Sequence, residues 1–276
     1  MRIASFVRAA AVTTATTLAA SSVSAVPVAY WSFESDLNSS IGGYTGTATN
    51  IGTGAVTLVS DGTRGNVVQF SGTSGTNYGK LLTDYAGIGG NAPRSFVAWI
   101  KTPGGGSSGA GILDYGKPDE TNKKITVRLS NTSGNANKLR GEFRNSFVEA
   151  GAAGTVLNDD VWRHIALTFD GTDVKLFVNG AQEASAAIPL DTGLVAPVQF
   201  GAARQTAAPH ADDTARWYAG LMDDIAFYDF AVAPSDLAAL ADGSKTPLQV
   251  VVPEPASLSL IALAGVLLGR RRPAAV

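Results

Sequence analysis

Asp212-Asp213 and Asp223-Asp224 are two pairs of adjacent aspartates in the predicted β-rich part of this sequence. Two carboxyl groups about 5 to 5.5 Å apart hydrolyse glycosidic bonds with retention of configuration. Neighbouring residues of a strand point to opposite faces, so the members of each pair are not expected to converge if they lie in a strand. The aspartate pairs therefore do not by themselves indicate hydrolysis.

The sequence has no cysteine and only two histidines, His164 and His210. This composition excludes disulfides, thiolate zinc sites, iron–sulfur clusters, cysteine nucleophiles and histidine-cluster metal centres. His164 lies in an apolar strand pattern, and we interpret it as a packed or surface strand residue. His210 lies in a polar loop, where a solvated side chain is expected. The sequence requires no cofactor.

Aromatic side chains are the residues that could bind sugars, because a ring that is partly exposed offers a flat apolar surface beside polar groups. Tyr115, Trp217 and Tyr218 lie at predicted strand edges or loops, and we take them as candidate ligand-binding residues. Ordinary packing in the core or at its rim is the alternative for each. Three further tryptophans recur in apolar strand patterns and are predicted to be core residues: Trp31, Trp99 and Trp162.

The body of the chain has the pattern of an all-β domain with two packed antiparallel sheets. Asn179-Gly180 predicts a type I′ hairpin turn, so that Trp162 to Ala187 forms three consecutive antiparallel strands. Pro234 to Leu240 is predicted as one short helix. Eleven strands are predicted from the sequence: Ala29–Glu34, Asn66–Ser71, Ser95–Thr102, Ile112–Tyr115, Ile125–Ser130, Lys138–Arg144, Arg163–Asp170, Val174–Val178, Glu183–Ala187, Val198–Gly201 and Trp217–Phe227.

The first 25 residues have the organisation of a secretory signal peptide. Arg2 and Arg8 form a basic start, a run of small apolar residues follows, and Val23-Ser24-Ala25 is a small-residue cleavage pattern. We predict an N-terminal signal helix that is cleaved after Ala25. A buried N-terminal helix is the alternative.

The last 25 residues, 252–276, contain three successive elements. Pro253-Glu254-Pro255 is expected to be extended, because each proline fixes φ and lacks an N–H. Residues 256–269 form an uncharged apolar helix of about 21 Å, shorter than the ~30 Å hydrocarbon core of a bilayer. Arg270, Arg271 and Arg272 follow, and a basic cluster holds its end of a segment in the cytoplasm. A plain membrane anchor is the alternative to a processing signal.

This C-terminal arrangement resembles the PEP-CTERM sorting signal of Gram-negative bacteria. The resemblance implies that a membrane-embedded exosortase recognises the tail while it is transiently held in the inner membrane. It further implies removal of the tail and delivery of the body to the cell surface or the exopolysaccharide matrix.

The whole chain has a formal net charge of −2. Residues 26–252 have a net charge of −6, because five arginines and Glu254 lie outside this range. No basic stripe with interleaved aromatics is present. An acidic surface repels phosphate backbones, so nucleic-acid binding is not expected. Neutral sugars or calcium are compatible partners.

The order of motifs in the body resembles the laminin G-like members of the concanavalin A-like lectin/glucanase jelly rolls. The most specific parts are WRHIALTFDGTDVKLFVNG at Trp162 and GLMDDIAFYDFAVAPSDLAAL at Gly220, with AYWSFE, NVVQFSG and SFVAWIKT upstream. The resemblance implies a jelly-roll β-sandwich over residues 26–243. Residues 244–251 are then a linker to the sorting signal.

Asp223 and Asp224 fall where the laminin G-like pattern carries an acidic pair, so the resemblance adds a structural calcium ion as an option. Calcium takes six to eight oxygen ligands, and no complete Asp/Asn loop is visible here. Jelly-roll glucanases place their carboxyl groups as Glu-x-Asp-x-x-Glu or Glu-x-Asp-x-Glu, and this sequence contains neither. We therefore expect a non-enzymatic, exported glycan-binding domain. The alternatives are a structural or adhesive matrix protein without a ligand pocket, and a glycoside hydrolase.

Overall fold

The structure is a computed structural model that describes residues 26–104, 109–205, 211–250 and 252. Within these ranges it is an all-β domain with one α-helix and one short 3-10 helix. The predicted signal helix, Ala25 and the sorting elements Pro253-Glu254-Pro255, 256–269 and Arg270 to Arg272 lie outside the described residues. In the described ranges, no helix is long and apolar enough to span a bilayer.

Seventeen strands are present in the described part of the chain. Their bounds are β1 Ala29–Trp31, β2 Gly46–Ile51, β3 Ala55–Asp61, β4 Gly65–Ser74, β5 Asn77–Thr83, β6 Arg94–Lys101, β7 Gly111–Gly116, β8 Lys124–Leu129, β9 Leu139–Glu142, β10 Phe147–Glu149, β11 Arg163–Phe169, β12 Asp173–Val178, β13 Ala181–Ala187, β14 Ala196–Phe200, β15 Ala202–Arg204, β16 Asp212–Trp217 and β17 Gly220–Tyr228. The helix α1 spans Pro234–Ala241, and a 3-10 helix spans Pro247–Gln249.

The strands form two antiparallel layers. The first sheet has the order β3-β4-β17-β6-β11-β12-β13, with β1 also paired to β17. The second sheet has the order β10-β9-β8-β7-β14-β5-β2, and the β4–β5 hairpin connects the two sheets. A separate two-stranded ribbon, β15–β16, packs beside β7. This arrangement confirms the predicted all-β sandwich.

The core lies between the two sheets because alternate residues of each strand point inward. On β6, Phe96, Ala98 and Ile100 belong to this core, whereas Val97 packs on the outer face beneath α1. Trp31 is fully buried at the centre, with its ring centroid 5.3 Å from that of Phe200. Its prediction as a core residue is confirmed.

The clearest local predictions are also confirmed. Asn179 and Gly180 have φ values of 48° and 77°, as a type I′ turn requires, and they join β12 to β13. The helix begins at Pro234 as expected, after an Ala233 N-cap without a side-chain hydrogen bond. The predicted strand Trp217–Phe227 is in fact two, because the chain leaves the ladder at residues 218–219 between β16 and β17.

The predicted linker 244–251 requires correction, since its described residues 244–250 pack onto the first sheet. Pro247 and Val250 are buried, and Val250 joins the apolar cluster beneath α1. The hydroxyl of Tyr228 donates a hydrogen bond to the carbonyl of Pro247 at 2.7 Å. The folded domain therefore extends at least to residue 250, because a buried apolar side chain and a buried hydrogen bond hold this segment in place.

Candidate functional site

A pocket of about 210 Å³ lies on the outer face of the first sheet. Its sheet side includes Trp99 of β6 and His164 of β11, and Arg64 and Asp224 line it as well. The segment after α1, which includes Lys245, Thr246 and Pro247, also lines it. The part of the chain that was expected to be a linker thus forms part of a pocket.

Strand register places three polar or aromatic side chains in one row across the outer face. Asp223 of β17 pairs with Trp99 of β6, and Trp99 pairs with His164 of β11. Because residues at paired positions of neighbouring strands lie side by side, these three groups are adjacent in space. The ring centroids of Trp99 and His164 are 5.4 Å apart in an edge-on arrangement.

A β-bulge turns both aspartates of β17 toward the same arginine. The register between β17 and β6 shifts between Asp223 and Ala226, and Asp224 has a φ of 47°. Arg64 then contacts both carboxylates, with Nε 2.7 Å from Asp223 Oδ2 and a terminal nitrogen 2.5 Å from Asp224 Oδ2. The expectation that the pair would point to opposite faces is therefore wrong, because it assumed a regular strand.

Arg64 reaches this position from the turn between β3 and β4. Its guanidinium lies 4.3 Å from the centroid of the Trp99 ring and 5.5 Å from that of Trp162, both within the range of cation–π attraction. Asp61 fixes the turn by accepting hydrogen bonds from the backbone N–H groups of Thr63 and Arg64 and from Trp162 Nε1. The arginine is therefore held by both its own turn and the sheet.

The environment of Asp223 favours the protonated form of its carboxyl group. Burial raises the pKa of Asp223 to about 7, with a further increase from the charge of Asp224, although Arg64 opposes both. The hydroxyl of Tyr30 donates to Asp224 Oδ1, and burial together with this carboxylate raises the pKa of the tyrosine. Among the described residues, the second oxygen of Asp223, Oδ1, is buried without a hydrogen-bond partner.

His164 is neutral in this environment. It is 2% exposed, and burial together with the charge of Arg64 lowers the pKa of its imidazole to about 3. Its Nδ1 is buried, and no hydrogen-bond partner for it lies in the described parts of the chain. The pocket thus combines an indole ring, a neutral imidazole, the Asp224 carboxylate and a guanidinium, which is the mixture of apolar surface and placed polar groups found in small-ligand sites.

The aromatic residues predicted to bind a ligand lie elsewhere and are buried. Tyr115 and Tyr218 are 2% and 0% exposed in the intersheet core, and Trp217 is 7% exposed against Tyr78 and Ala202. An aromatic ring enclosed by protein cannot stack on a sugar at the surface, so the expectation of an exposed platform at these residues is corrected.

Trp99 and Trp162 were predicted to be core residues, and this prediction is wrong for both. They are partly exposed on the outer face, where they flank Arg64. The alternation in SFVAWIKT contains the signal that could have found Trp99, since it places Trp99 on the face opposite to Phe96, Ala98 and Ile100.

Asp223 and Asp224 do not fit a calcium ion. The guanidinium of Arg64 already neutralises one oxygen of each carboxylate, and a second oxygen of Asp224 accepts the Tyr30 hydroxyl. In the ranges that the structure covers, no group of three or more His, Cys, Asp or Glu side chains is positioned to hold a metal. Calcium needs more oxygen ligands than this arrangement offers.

The outer face of the second sheet carries a different set of charges, which we call the charged face: Asp114, Lys124, Arg128, Arg140, Glu142, Glu149, Arg204 and Arg216. Lys124 and Asp114 form an ion pair of 2.9 Å with both side chains at most 1% exposed. Glu142 pairs with Arg128 and Arg216 at 2.8 and 2.7 Å. Burial would raise the pKa of Glu142, but the two arginines outweigh burial and lower it to about 2.

The fold is a two-sheet antiparallel β-sandwich, and sequence comparison assigns its family. The family model described as the concanavalin A-like lectin/glucanases superfamily, of the laminin G type, matches residues 71–238. The match covers more than half of the chain, so the chain belongs to this family. No curated protein sequence matches the chain.

Several solved structures share the fold of this chain. One is domain 4 of AbnA, an extracellular GH43 arabinanase from Geobacillus stearothermophilus, determined in complex with arabinotriose. The two chains are 21% identical with a TM-score of 0.58, and the alignment covers 79% of this chain and 100% of the AbnA domain. The binding domain of botulinum neurotoxin serotype D is 12% identical with a TM-score of 0.53, and the alignment covers 79% of this chain and 52% of that domain. The present chain spans about half of the neurotoxin domain, and the similarity at these identities establishes the fold alone.

Proposed function

We propose that this protein is a non-catalytic glycan-binding module whose site is the pocket around Trp99. The observation that carries the proposal is the row Asp223, Trp99 and His164, which places an indole ring beside fixed hydrogen-bonding groups at a pocket on the sheet surface. Membership of a family of lectins and glucanases supports this class of ligand. The arabinotriose complex of AbnA domain 4 supports it as well.

The pocket has the chemistry that sugar recognition requires. A sugar ring presents C–H groups that pack on an indole and hydroxyls that need both donors and acceptors. Arg64 and Lys245 supply donors, and Asp224 supplies acceptors. A volume of about 210 Å³ accommodates one small ring or the end of a chain rather than a long oligosaccharide.

Binding of purified full chain to a glycan array, followed by calorimetry of the best ligand, tests this function. Trp99→Ala is expected to weaken binding about tenfold or more, since aromatic stacking on a ligand ring contributes on the order of 1.4 kcal/mol. Trp217→Ala, measured in parallel with a check of folding by circular dichroism, is the aromatic control from outside the pocket. Equal affinity of Trp99→Ala and the unmodified chain would reject the Trp99 pocket.

The biological setting that we propose is the cell surface or exopolysaccharide matrix of a Gram-negative bacterium. The N-terminal signal segment and the PEP-CTERM-like tail with its Pro253-Glu254-Pro255 motif support export followed by exosortase processing. Mass spectrometry of the protein from its native cell tests this assignment. Mature protein that begins after Ala25 and lacks Arg270 to Arg272 is expected, and an intact C-terminus in the membrane fraction would contradict it.

The same experiments distinguish the proposal from two other functions. If no glycan binds but the processed protein is retained in the matrix, a structural or adhesive role replaces the proposal. If a purified oligosaccharide is shortened in its presence, the protein is a hydrolase.

A further inference from the structure

Residues 244–250, which we call the strap, follow α1 and are docked on the first sheet. Val250 is fully buried in the apolar cluster beneath α1, and Pro247 is buried as well. The hydroxyl of Tyr228 donates a hydrogen bond to the carbonyl of Pro247 at 2.7 Å. These contacts hold the second half of the strap against the sheet as far as its final residue.

The beginning of the strap is tied to α1 by weaker contacts. The backbone N–H of Lys245 donates to the carbonyl of Ala239 at 3.0 Å, and Lys245 Nζ lies 2.5 Å from Asp236 Oδ1. The Lys245 side chain is 31% exposed, so this ion pair contributes little to holding the strap. The strap therefore depends on a few buried contacts near its end, and such a segment can open locally while the sandwich stays folded.

The strap ends just before the Pro253-Glu254-Pro255 motif. Only residues 251 and 252 separate the buried Val250 from Pro253 in the sequence. Two residues bridge at most about 7 Å even when they are fully extended. An enzyme that cuts a chain needs an accessible stretch on both sides of the bond, and a docked strap leaves very little of it on the N-terminal side of this motif.

We infer that the strap gates removal of the tail, because it must leave the sheet before an enzyme can hold the chain around the motif. This inference rests on the proposed processing of the tail and specifies how that step is regulated. Lys245, Thr246 and Pro247 also line the Trp99 pocket, so release of the strap removes one wall of the pocket. The form that can be cut and the form with a complete pocket are therefore alternative conformations of the same chain.

The rate of tail removal from the full chain in its native cell, followed by pulse labelling and mass spectrometry, tests the gate. Tyr228→Phe removes the hydrogen bond to Pro247 and is expected to speed removal about fivefold. The reason is that cutting from a rapidly opening conformation follows the population of that conformation. Tyr78→Phe is the matched control, since Tyr78 is also buried and its hydroxyl donates to Asp212 instead. It is expected to leave the rate unchanged.

A linker insertion separates release of the strap from access to the motif. About eight Gly/Ser residues placed between Val252 and Pro253 span about 16 Å on average, so an enzyme reaches the motif while the strap stays docked. We expect this insertion to speed tail removal about fivefold or more, and Tyr228→Phe to add nothing to it, because both changes relieve the same step. The same linker after Ser133, in an exposed turn between β8 and β9, is the control and should have no effect.

The outcomes separate this inference from the processing on which it rests. Removal of the tail at one rate from the unmodified chain, Tyr228→Phe and the insertion variant would overturn the gate and leave processing intact. Faster removal from only one of the two variants would also overturn it, because distance alone or general destabilisation would then explain the rate. A tail that stays on the unmodified chain and on both variants would remove the proposed processing and the inference together.

Discussion

The outer faces of the two sheets both carry carboxylates that contact arginines, but they differ in how completely the charges are matched. On the charged face, Glu142 has two arginine partners within 2.8 Å, and the pKa of this carboxyl is lowered to about 2. Around the pocket, Asp223 and Asp224 share one arginine, and the pKa of Asp223 is raised to about 7. A carboxylate with two arginine partners is thus held in its ionised form, whereas a buried carboxylate that shares one arginine is favoured in its protonated form.

Loss of one charge should lower the free energy of unfolding more in the interior of the charged face than around the pocket. Asp114→Ala is expected to lower the free energy of unfolding by about 3–5 kcal/mol, because it leaves Lys124 buried without its counter-ion. Urea denaturation measures the change. The control is Asp159→Ala, which removes a more exposed ion pair with Arg163 and should cost less than about 1 kcal/mol. Similar losses for both variants would show that the buried pair has no special role.

Acid should destabilise the charged face through Glu142. Its pKa is lowered in the folded state, so the stabilisation is present above the unfolded value of 4.5 and is lost as pH falls toward 2. The loss amounts to about 3 kcal/mol. Denaturant titrations between pH 6 and pH 2 should show this decrease in the unmodified chain and a smaller one in Glu142→Gln. Parallel curves for the two proteins would contradict the assignment.

The pocket should show the opposite dependence on pH. The folded pKa of Asp223 lies above its model-compound value of 3.8, so the folded state binds the extra proton between the two values. Stability is therefore greatest below pH 3.8 and is lost as pH rises through about 7. We expect Asp223→Asn to remove this decrease across the window, because the amide does not titrate. Asp224→Asn, measured in the same way, shows how much of this pH dependence comes from the charge of Asp224 beside Asp223.

The smallest expected effect concerns the segment after α1. Tyr228→Phe removes the hydrogen bond to the Pro247 carbonyl and should cost about 1 kcal/mol of stability. The same change loosens the pocket wall that contains Thr246 and Pro247, so ligand affinity should fall by about twofold to threefold. Tyr78→Phe is the control, since its hydroxyl donates to Asp212 on the other side of the domain. Weakened ligand binding in both variants would show that the effect is not local to the pocket.

The sequence predicted the sandwich because strong local signals agree with the tertiary contacts. The runs in β6 and β11 are apolar on both faces, and Asn179-Gly180 can adopt positive φ at both positions, so these elements follow from local rules. Strands β2, β3, β5, β10, β15 and β16 were not predicted. Much of β2 and β3 is polar and exposed, and such strands have little periodic signal.

The pocket was less predictable because it depends on irregular geometry and distant residues. Adjacent aspartates converge only through the bulge at Asp224, which no spacing rule anticipates. Arg64 is 159 positions from Asp223 in the chain and arrives from a turn. The buried tyrosines were misassigned because strand-edge position was taken as exposure, whereas Tyr115 and Tyr218 point inward.

Mapping of the bound sugar by NMR tests the central claim most directly. In a ¹⁵N-labelled sample titrated with the glycan that binds best on the array, we predict saturating shifts of the Trp99 indole N–H and of the backbone amides of His164, Asp224 and Thr246. Amides of Asp114 and Arg128 on the charged face should stay in place. Shifts concentrated on the charged face, or confined to neither face at saturating ligand, would contradict the account.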